Sequence, residues 1–290
     1  MLMEFWLVTT NHLEDRVLFR GDEDYMAAMN FVAVVKCVTN VSILAFILMS
    51  NHVHFVLGCG REEADIFIRN FKQRYSFYLR KKYGFKEFWR DNDVDIRSLR
   101  LEDESLLRAI AYTVMNSVAA NICLHCSQYQ WGSGNCLFNP ALSKGTPLRN
   151  LSFRKQYEIL HTNEKLPQDY LLGEDGYVLP QSYMPVDFVE KLFRTPSRFN
   201  FFLANSSKAK ARLENIQALP SFKDKSIMDA IPDLLHSMFH KQTLEELTDP
   251  QRAELLRQIR RRFSMDIAQM ARITGIAYSE ITQYLEDFCI

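Results

Sequence analysis

The chain has 290 residues, 47% of them hydrophobic, the composition of a globular protein with apolar material for one large domain or two smaller ones. Its 35 Lys and Arg balance 35 Asp and Glu, so no global field draws it to nucleic acid and any such binding must use local patches. Six cysteines (Cys37, Cys59, Cys123, Cys126, Cys136 and Cys289) show no framework spacing, no secretory pattern opens the chain, and the longest apolar run, Ile43 to Met49, is too short for a bilayer; the expectation is a reduced, cytoplasmic protein with no membrane partner.

Phe5 to Thr10, aromatic and β-branched, predicts a strand. Asp22 to Val38 opens with acids and repeats Met26, Met29, Phe31, Val32 and Val35 near helical spacing, which predicts a helix. Val41 to Met49 is apolar on both faces and suits a central strand. Ser50-Asn51 predicts a tight turn into a paired strand, His52 to Gly58. Ala64 to Tyr83 predicts an amphipathic helix ending before Gly84, Val94 to Leu99 a short fourth strand, and Glu102 to Cys126 a second long helix. The order β-α-β-β-α-β is that of the ferredoxin-like split βαβ arrangement, so the expected class is α+β, with a mostly helical C-terminal region.

After Gly132 the texture changes. Gly132, Gly134, Pro140, Gly145 and Pro147 predict a connecting region, followed by helical patches at Phe153 to Leu160 and Val186 to Phe193 and strong helicity from Asp249. The expected division is a catalytic domain over 1–140, a linker and helical region over 141–245, and a helix-turn-helix candidate over 246–290.

The chemistry concentrates at two places. Residues i and i+2 of a strand project from one face, so His52 and His54 stand side by side, half of a metal site. Tyr112 and Asn116 are i and i+4, one turn apart on a helix face. If that helix packs over the strand, two imidazoles, an amide oxygen and a phenol converge; if it does not, Tyr112 and Asn116 are an ordinary surface pair. A converged set could hold a divalent ion beside a phenol nucleophile.

These residues resemble a known family. Leu48-Met49-Ser50-Asn51-His52-Val53-His54-Phe55-Val56-Leu57 is similar to the HUH motif of single-tyrosine transposases. Tyr112-Thr113-Val114-Met115-Asn116-Ser117-Val118 resembles the Tyr-Ile-x-x-Asn-Pro-Val motif of REP-associated tyrosine transposases. Phe71-Lys72-Gln73-Arg74-Tyr75, Phe88-Trp89-Arg90 and Tyr129-Gln130-Trp131-Gly132-Ser133 echo further elements in the same order, so the resemblance covers about residues 5 to 138. Ser117 replaces the usual proline, and Ala119-Ala120-Asn121 replaces an Arg-Ala-Gly, which removes a phosphate-binding arginine. The resemblance implies Tyr112 as nucleophile, His52, His54 and Asn116 as ligands of Mg²⁺ or Mn²⁺, single-stranded or hairpin DNA as partner, and either a monomer or a homodimer. It implies cleavage and transfer of single strands through a 5′-phosphotyrosine. Two alternatives stay open: a domesticated hairpin-DNA-binding protein that does not cut, and a metal-dependent nuclease that uses water.

Two basic tracts are candidate DNA contacts. Arg69, Lys72, Arg74, Arg80, Lys81 and Lys82 are interleaved with Tyr75, Phe77 and Tyr78, a pattern that suits phosphates and unpaired bases as well as a solvated helix face over an aromatic core stripe. Arg257, Arg260, Arg261 and Arg262 precede Met265 to Leu285, in which Ala271, Gly275, Ile276 and Ile281 fit a helix-turn-helix with a recognition helix at about Ser279 to Phe288, or a plain helical bundle.

Overall fold

A computed structural model describes residues 4–10, 17–85, 94–120, 122–142, 144–206, 222, 224–263, 265 and 267–287; the Phe88-Trp89-Arg90 element and Cys289 lie outside them. The class is α+β. Strands β1 (Phe5–Thr10), β2 (Ser42–Met49), β3 (His52–Gly58) and β4 (Val94–Leu99) form a sheet in the order β2-β3-β1-β4, with every neighbouring pair antiparallel. Helices α1 (Asp22–Val38) and α2 (Arg61–Tyr83) pack on one face of it, over Val53, Phe55 and Leu57 of β3. Helix α3 (Ser105–Val114) packs on the other, over Leu44, Ala45 and Val56. The alternation of β3 thus splits its side chains between two cores. Phe55 anchors the first core, with ring centroids 6.0 Å from Phe46, 5.1 Å from Phe67 and 5.5 Å from Phe71. Burying a ring of that size contributes about 1.5–3 kcal/mol.

β2 is an edge strand, not the central strand its two apolar faces suggest. The segment 131–133 covers that edge. Leu48 N donates to Trp131 O at 2.8 Å, Ser133 N to Phe46 O at 2.9 Å, and Phe46 N to Ser133 Oγ at 2.9 Å. Gly132 makes this approach possible: a Cβ there would stand 2.9 Å from Phe46 O. A covered edge needs apolar residues on both faces just as a central strand does.

Helix α1 is buried nearly all round, which is why its apolar residues mark no single face. Residues 159–178 close its outer side: Asn30 Nδ2 donates to Ile159 O and Gly176 O, and Asn30 Oδ1 accepts from Val178 N. Its first turn holds Asp24, fully buried. The carboxylate accepts from Arg20 N at 2.8 Å, Tyr78 Oη at 3.0 Å, Tyr83 Oη at 3.0 Å and Lys82 Nζ at 2.8 Å. Burial pushes the Lys82 ammonium down, but the charge and hydrogen bond of Asp24 outweigh it and hold lysine above its ordinary value. A raised folded-state value means this contribution is complete below the ordinary lysine value of about 10.4 and is lost as pH rises through the higher folded one. Asp24→Ala is expected to destabilise the fold by about 1–3 kcal/mol, because it takes the buried acceptor from the Tyr78 and Tyr83 hydroxyls and the Arg20 amide, while Lys82 keeps Glu23 at 3.0 Å. Urea unfolding at neutral pH measures this, and a loss under about 1 kcal/mol would mean that the pair behaves as a solvent-screened one.

The expected helix from Glu102 to Cys126 is shorter. α3 stops at Val114, and α4 (Asn116–Ala119) follows after one irregular residue, Met115. The expected linker region also differs from its sequence reading. β5 (Thr146–Pro147) pairs with β6 (Leu171–Leu172), and Leu148, Tyr170, Tyr177 and Tyr183 join the core under α1 and α2. α5 (Phe153–Leu160) packs on α1, while α6 (Val186–Phe193) and α7 (Pro196–Ala204) bring Val189, Phe193, Phe199 and Phe202 against α3. The glycines and prolines of this stretch mark turns within one packed body.

Helices α8 (Asp224–Phe239), α9 (Asp249–Phe263), α10 (Ile267–Thr274) and α11 (Tyr278–Asp287) share a third core with Val17 and Phe222. Gly275, at φ +72°, takes the left-handed conformation that turns α10 into α11, and Ile276 and Ile281 pack inward as their sequence positions predict. Arg20 pairs with Asp233 at 3.0 Å, Arg262 pairs with Asp22, and Ser50 Oγ donates to Arg262 O, so the helical third is tied to the start of α1 and to the β2–β3 turn. Among the described residues no helix is long and apolar enough to cross a membrane.

Candidate functional site

His52 and His54 lie on the α3 face of β3, as the strand alternation requires. Both are buried, with ring centroids 4.8 Å apart and planes nearly perpendicular. Each has an oxygen at its Nδ1. His52 Nδ1 donates to Asn51 Oδ1 at 2.7 Å, and Thr9 Oγ1 lies 2.9 Å from His54 Nδ1. An amide oxygen can only accept, so Asn51 fixes the His52 tautomer with its proton on Nδ1 and its lone pair on Nε2. Both Nε2 atoms are buried.

Helix α3 brings Tyr112 to the pair. Its apolar side, Leu106, Leu107, Ile110 and Val114, is buried against the sheet and α7, and Tyr112 sits half-buried at the margin. The Tyr112 ring meets the His54 ring edge-on, with centroids 5.5 Å apart at 90°. Asn116, buried, caps the end of the same helix: its Nδ2 donates to Tyr112 O at 2.8 Å and Thr113 O at 3.2 Å. With both bonds made by the amide nitrogen, Oδ1 is the atom left to serve a ligand. Imidazole nitrogens and an amide oxygen are donor types that suit Mn²⁺ or Mg²⁺; the ring contacts join His52, His54 and Tyr112, and Asn116 is joined to them through its bond to the Tyr112 carbonyl. Among the described residues no group of three or more His, Cys, Asp or Glu is arranged to hold a metal ion.

Tyr112 and His54 open into a cleft of about 910 Å³, also lined by Thr9, Asp95, Arg97, Arg108, Phe201 and Phe202. Register explains the strand residues: His54 pairs with Thr9 and Thr9 with Asp95, so all three project to the same face. Arg97 bonds Asp95 at 2.6 Å, and Arg108 reaches Glu104 at 3.4 Å, which also holds Arg198 at 3.0 Å. The guanidinium groups of Arg97 and Arg108 stay largely in solvent. Neither was flagged by sequence, although Arg108 stands one turn before Tyr112 and a scan of that helix face would have found it. The contribution of β4 and α7 depends on pairing and packing that no local pattern carries.

The predicted DNA contacts on α2 sit on the opposite face of the sheet from Tyr112. Arg69, Arg80 and Lys81 are exposed there and Lys72 is half-buried. Arg74 is held by Thr162 at 3.4 Å and Glu164 at 3.7 Å, and Lys82 by Asp24 and Glu23, which gives both internal partners. Of the interleaved aromatics, Tyr75 is fully buried and donates to Leu18 O, whereas Phe77 is exposed. Of the C-terminal arginines, Arg260 is exposed, Arg257 pairs with Glu254 at 3.0 Å, and the Arg261 side chain lies outside the described residues. Arg262 is buried, its guanidinium 5.5 Å from the Tyr25 ring centre and paired with Asp22. It docks α9 on α1 and so does not join Arg260 on the surface.

No family model matches the chain, and no curated protein matches it. One solved structure, that of the REP-associated tyrosine transposase bound to a REP hairpin, is distantly similar: 17% identity over 46% of this chain and 77% of that one, with a TM-score of 0.39. A likeness that weak carries no argument about activity, which rests on the geometry of the site.

Proposed function

We propose that this chain is a DNA-strand transferase of the HUH single-tyrosine type. The observation that supports it is the ring contact of His52, His54 and Tyr112 on one sheet face, at the head of an open cleft. Tyr112 Oη attacks the phosphorus of a single-stranded DNA phosphodiester. The bond to the 3′-oxygen breaks, the 5′-phosphate is left on tyrosine, and the phenol proton ends on the departing 3′-hydroxyl. A second 3′-hydroxyl reverses the step at a new junction, so one phosphoester replaces another and no energy source is consumed. His52 Nε2, His54 Nε2 and Asn116 Oδ1 would hold Mg²⁺ or Mn²⁺, which when bound supplies Lewis-acid stabilisation of the charge on phosphorus. Asn51 and Thr9 orient the two rings, and Arg97 and Arg108 draw the phosphate backbone into the cleft.

The β-α-β-β-α-β order and the β2-β3-β1-β4 pairing support a ferredoxin-like catalytic half, and the α10–Gly275–α11 turn supports a helix-turn-helix after it. The reading is tested by incubating the full chain with labelled single-stranded hairpin DNA and Mn²⁺ and resolving the products on a denaturing gel. A band of protein covalently bound to DNA is the expected result. Cleavage without the band would select a water-using nuclease. Tight binding with neither would select a binding-only protein, the reading that Ala119 favours by standing where the resemblance has arginine.

Arg97→Ala with Arg108→Ala is expected to weaken binding of single-stranded DNA and to lower the slope of log affinity against log salt by about 0.7 for each phosphate no longer neutralised. A salt titration by fluorescence anisotropy measures it. An unchanged slope would remove both arginines from the DNA path.

A further inference from the structure

Between the segment 122–131 and helix α9 lies a second cleft, of about 770 Å³, unrelated to the Tyr112 site. One wall is Gln128, Tyr129, Gln130 and Trp131; the other is Arg260 and Arg262. Among the described residues no carboxylate lines it. Arg262 is buried, with 6% of its surface exposed, and its fork is divided. Nη2 pairs with Asp22 and Nε donates to Gln258 Oε1 at 3.4 Å, but Nη1 is a buried donor with no hydrogen-bond partner among the described residues. A guanidinium nitrogen left this way is costly, and such exceptions in a folded protein call for a ligand or a function. Planar guanidinium forks suit phosphate oxygens, and a cleft with two arginines, side-chain amides and no acids has the chemistry of an anion site.

We propose that this cleft binds a phosphate group, with Arg262 Nη1 as its buried donor and Arg260 as its rim cation. Because one wall is the 122–131 segment and the other is α9, an occupied cleft would fasten the helical third onto the sheet-bearing part. The site stands apart from strand transfer and would serve a binding-only protein equally.

The test uses full-length protein with Trp6→Phe and Trp89→Phe, which leaves Trp131 in the cleft wall as the fluorescent reporter. The probes are inorganic phosphate, a short oligothymidylate, and the same oligomer with an uncharged methylphosphonate backbone. Saturable change with phosphate points to a free phosphate source, and change with oligothymidylate alone points to a nucleic-acid backbone; either supports the proposal, provided the uncharged oligomer has no effect. Arg260→Ala and Gln130→Glu change exposed side chains and keep the Arg262–Asp22 pair, so they test the site without testing the fold. Each should weaken the response about tenfold, the effect of one charged hydrogen bond. Arg262→Lys, checked for an unchanged melting profile, should abolish it. Responses equal to the parent in Arg260→Ala and Gln130→Glu, or no response to either charged probe, would overturn the proposal, while formation of the covalent adduct at Tyr112 reports separately on the catalytic reading.

Discussion

Tyr112→Phe is expected to eliminate the covalent protein–DNA adduct and to leave affinity for single-stranded DNA within about twofold, since the change deletes one oxygen and keeps the ring. The Tyr112 ring rests edge-on against His54, 5.5 Å between centroids, and phenylalanine preserves that packing. Loss of the nucleophile from a covalent mechanism lowers turnover by a factor on the order of 10⁴ or more, so no residual adduct should be visible on a gel. The phenols of α2 cannot substitute. Tyr75 is fully buried, donates to Leu18 O, and burial pushes its hydroxyl well up. Tyr78 is raised too, first by burial and then by Asp24, to which it donates at 3.0 Å; both belong to the core on the far side of the sheet. An adduct that survives in Tyr112→Phe would therefore place the chemistry outside the His52–His54 site altogether.

Sequence carried the local elements well. Aromatic and β-branched content marked β1, the Ser50-Asn51 turn marked the start of β3, and acid-first helical spacing marked α1, because those signals depend on neighbours along the chain. The site was half legible on the same terms. Strand spacing put His52 beside His54, and helix spacing put Tyr112 one turn before Asn116. The meeting of Tyr112 with His54 depends on α3 packing against β2 and β3, which is a tertiary fact. Arginine roles were the least legible. Arg262 reads like its neighbours in a basic run, yet one of them stands in solvent while it is buried against Asp22, 240 positions away. Likewise the six basic residues of α2 look like a DNA face, but the sheet lies between that helix and Tyr112, and Lys82 is taken up by Asp24. Turn residues after Gly132 suggested a boundary, because glycine and proline report local backbone geometry and say nothing of what packs on either side.

Removing either imidazole should weaken Mn²⁺ binding and strand cleavage together. His52→Ala and His54→Ala would each take one of the three donors of the proposed site, and the remaining pair would not hold the ion at the phosphate with the same charge stabilisation, worth several kcal/mol. Both rings are buried, so alanine also leaves a void that loosens the fold. His52→Gln and His54→Gln, closer in volume, separate the two effects. If their melting temperatures stay near the parent's while calorimetry loses the Mn²⁺ heat, the ligand role stands. Asn51→Ala supplies the finer control. It removes the acceptor at 2.7 Å that holds His52 in its tautomer and none of the three proposed donors, and loss of such a partner lowers metal affinity about 10–100-fold. The Asn51 variant should therefore bind Mn²⁺ weakly and recover cleavage at high Mn²⁺, whereas the His52 variants should not recover. Unchanged Mn²⁺ affinity in both histidine variants would remove the metal from this site, and leave His54 with the simpler task of packing against the tyrosine.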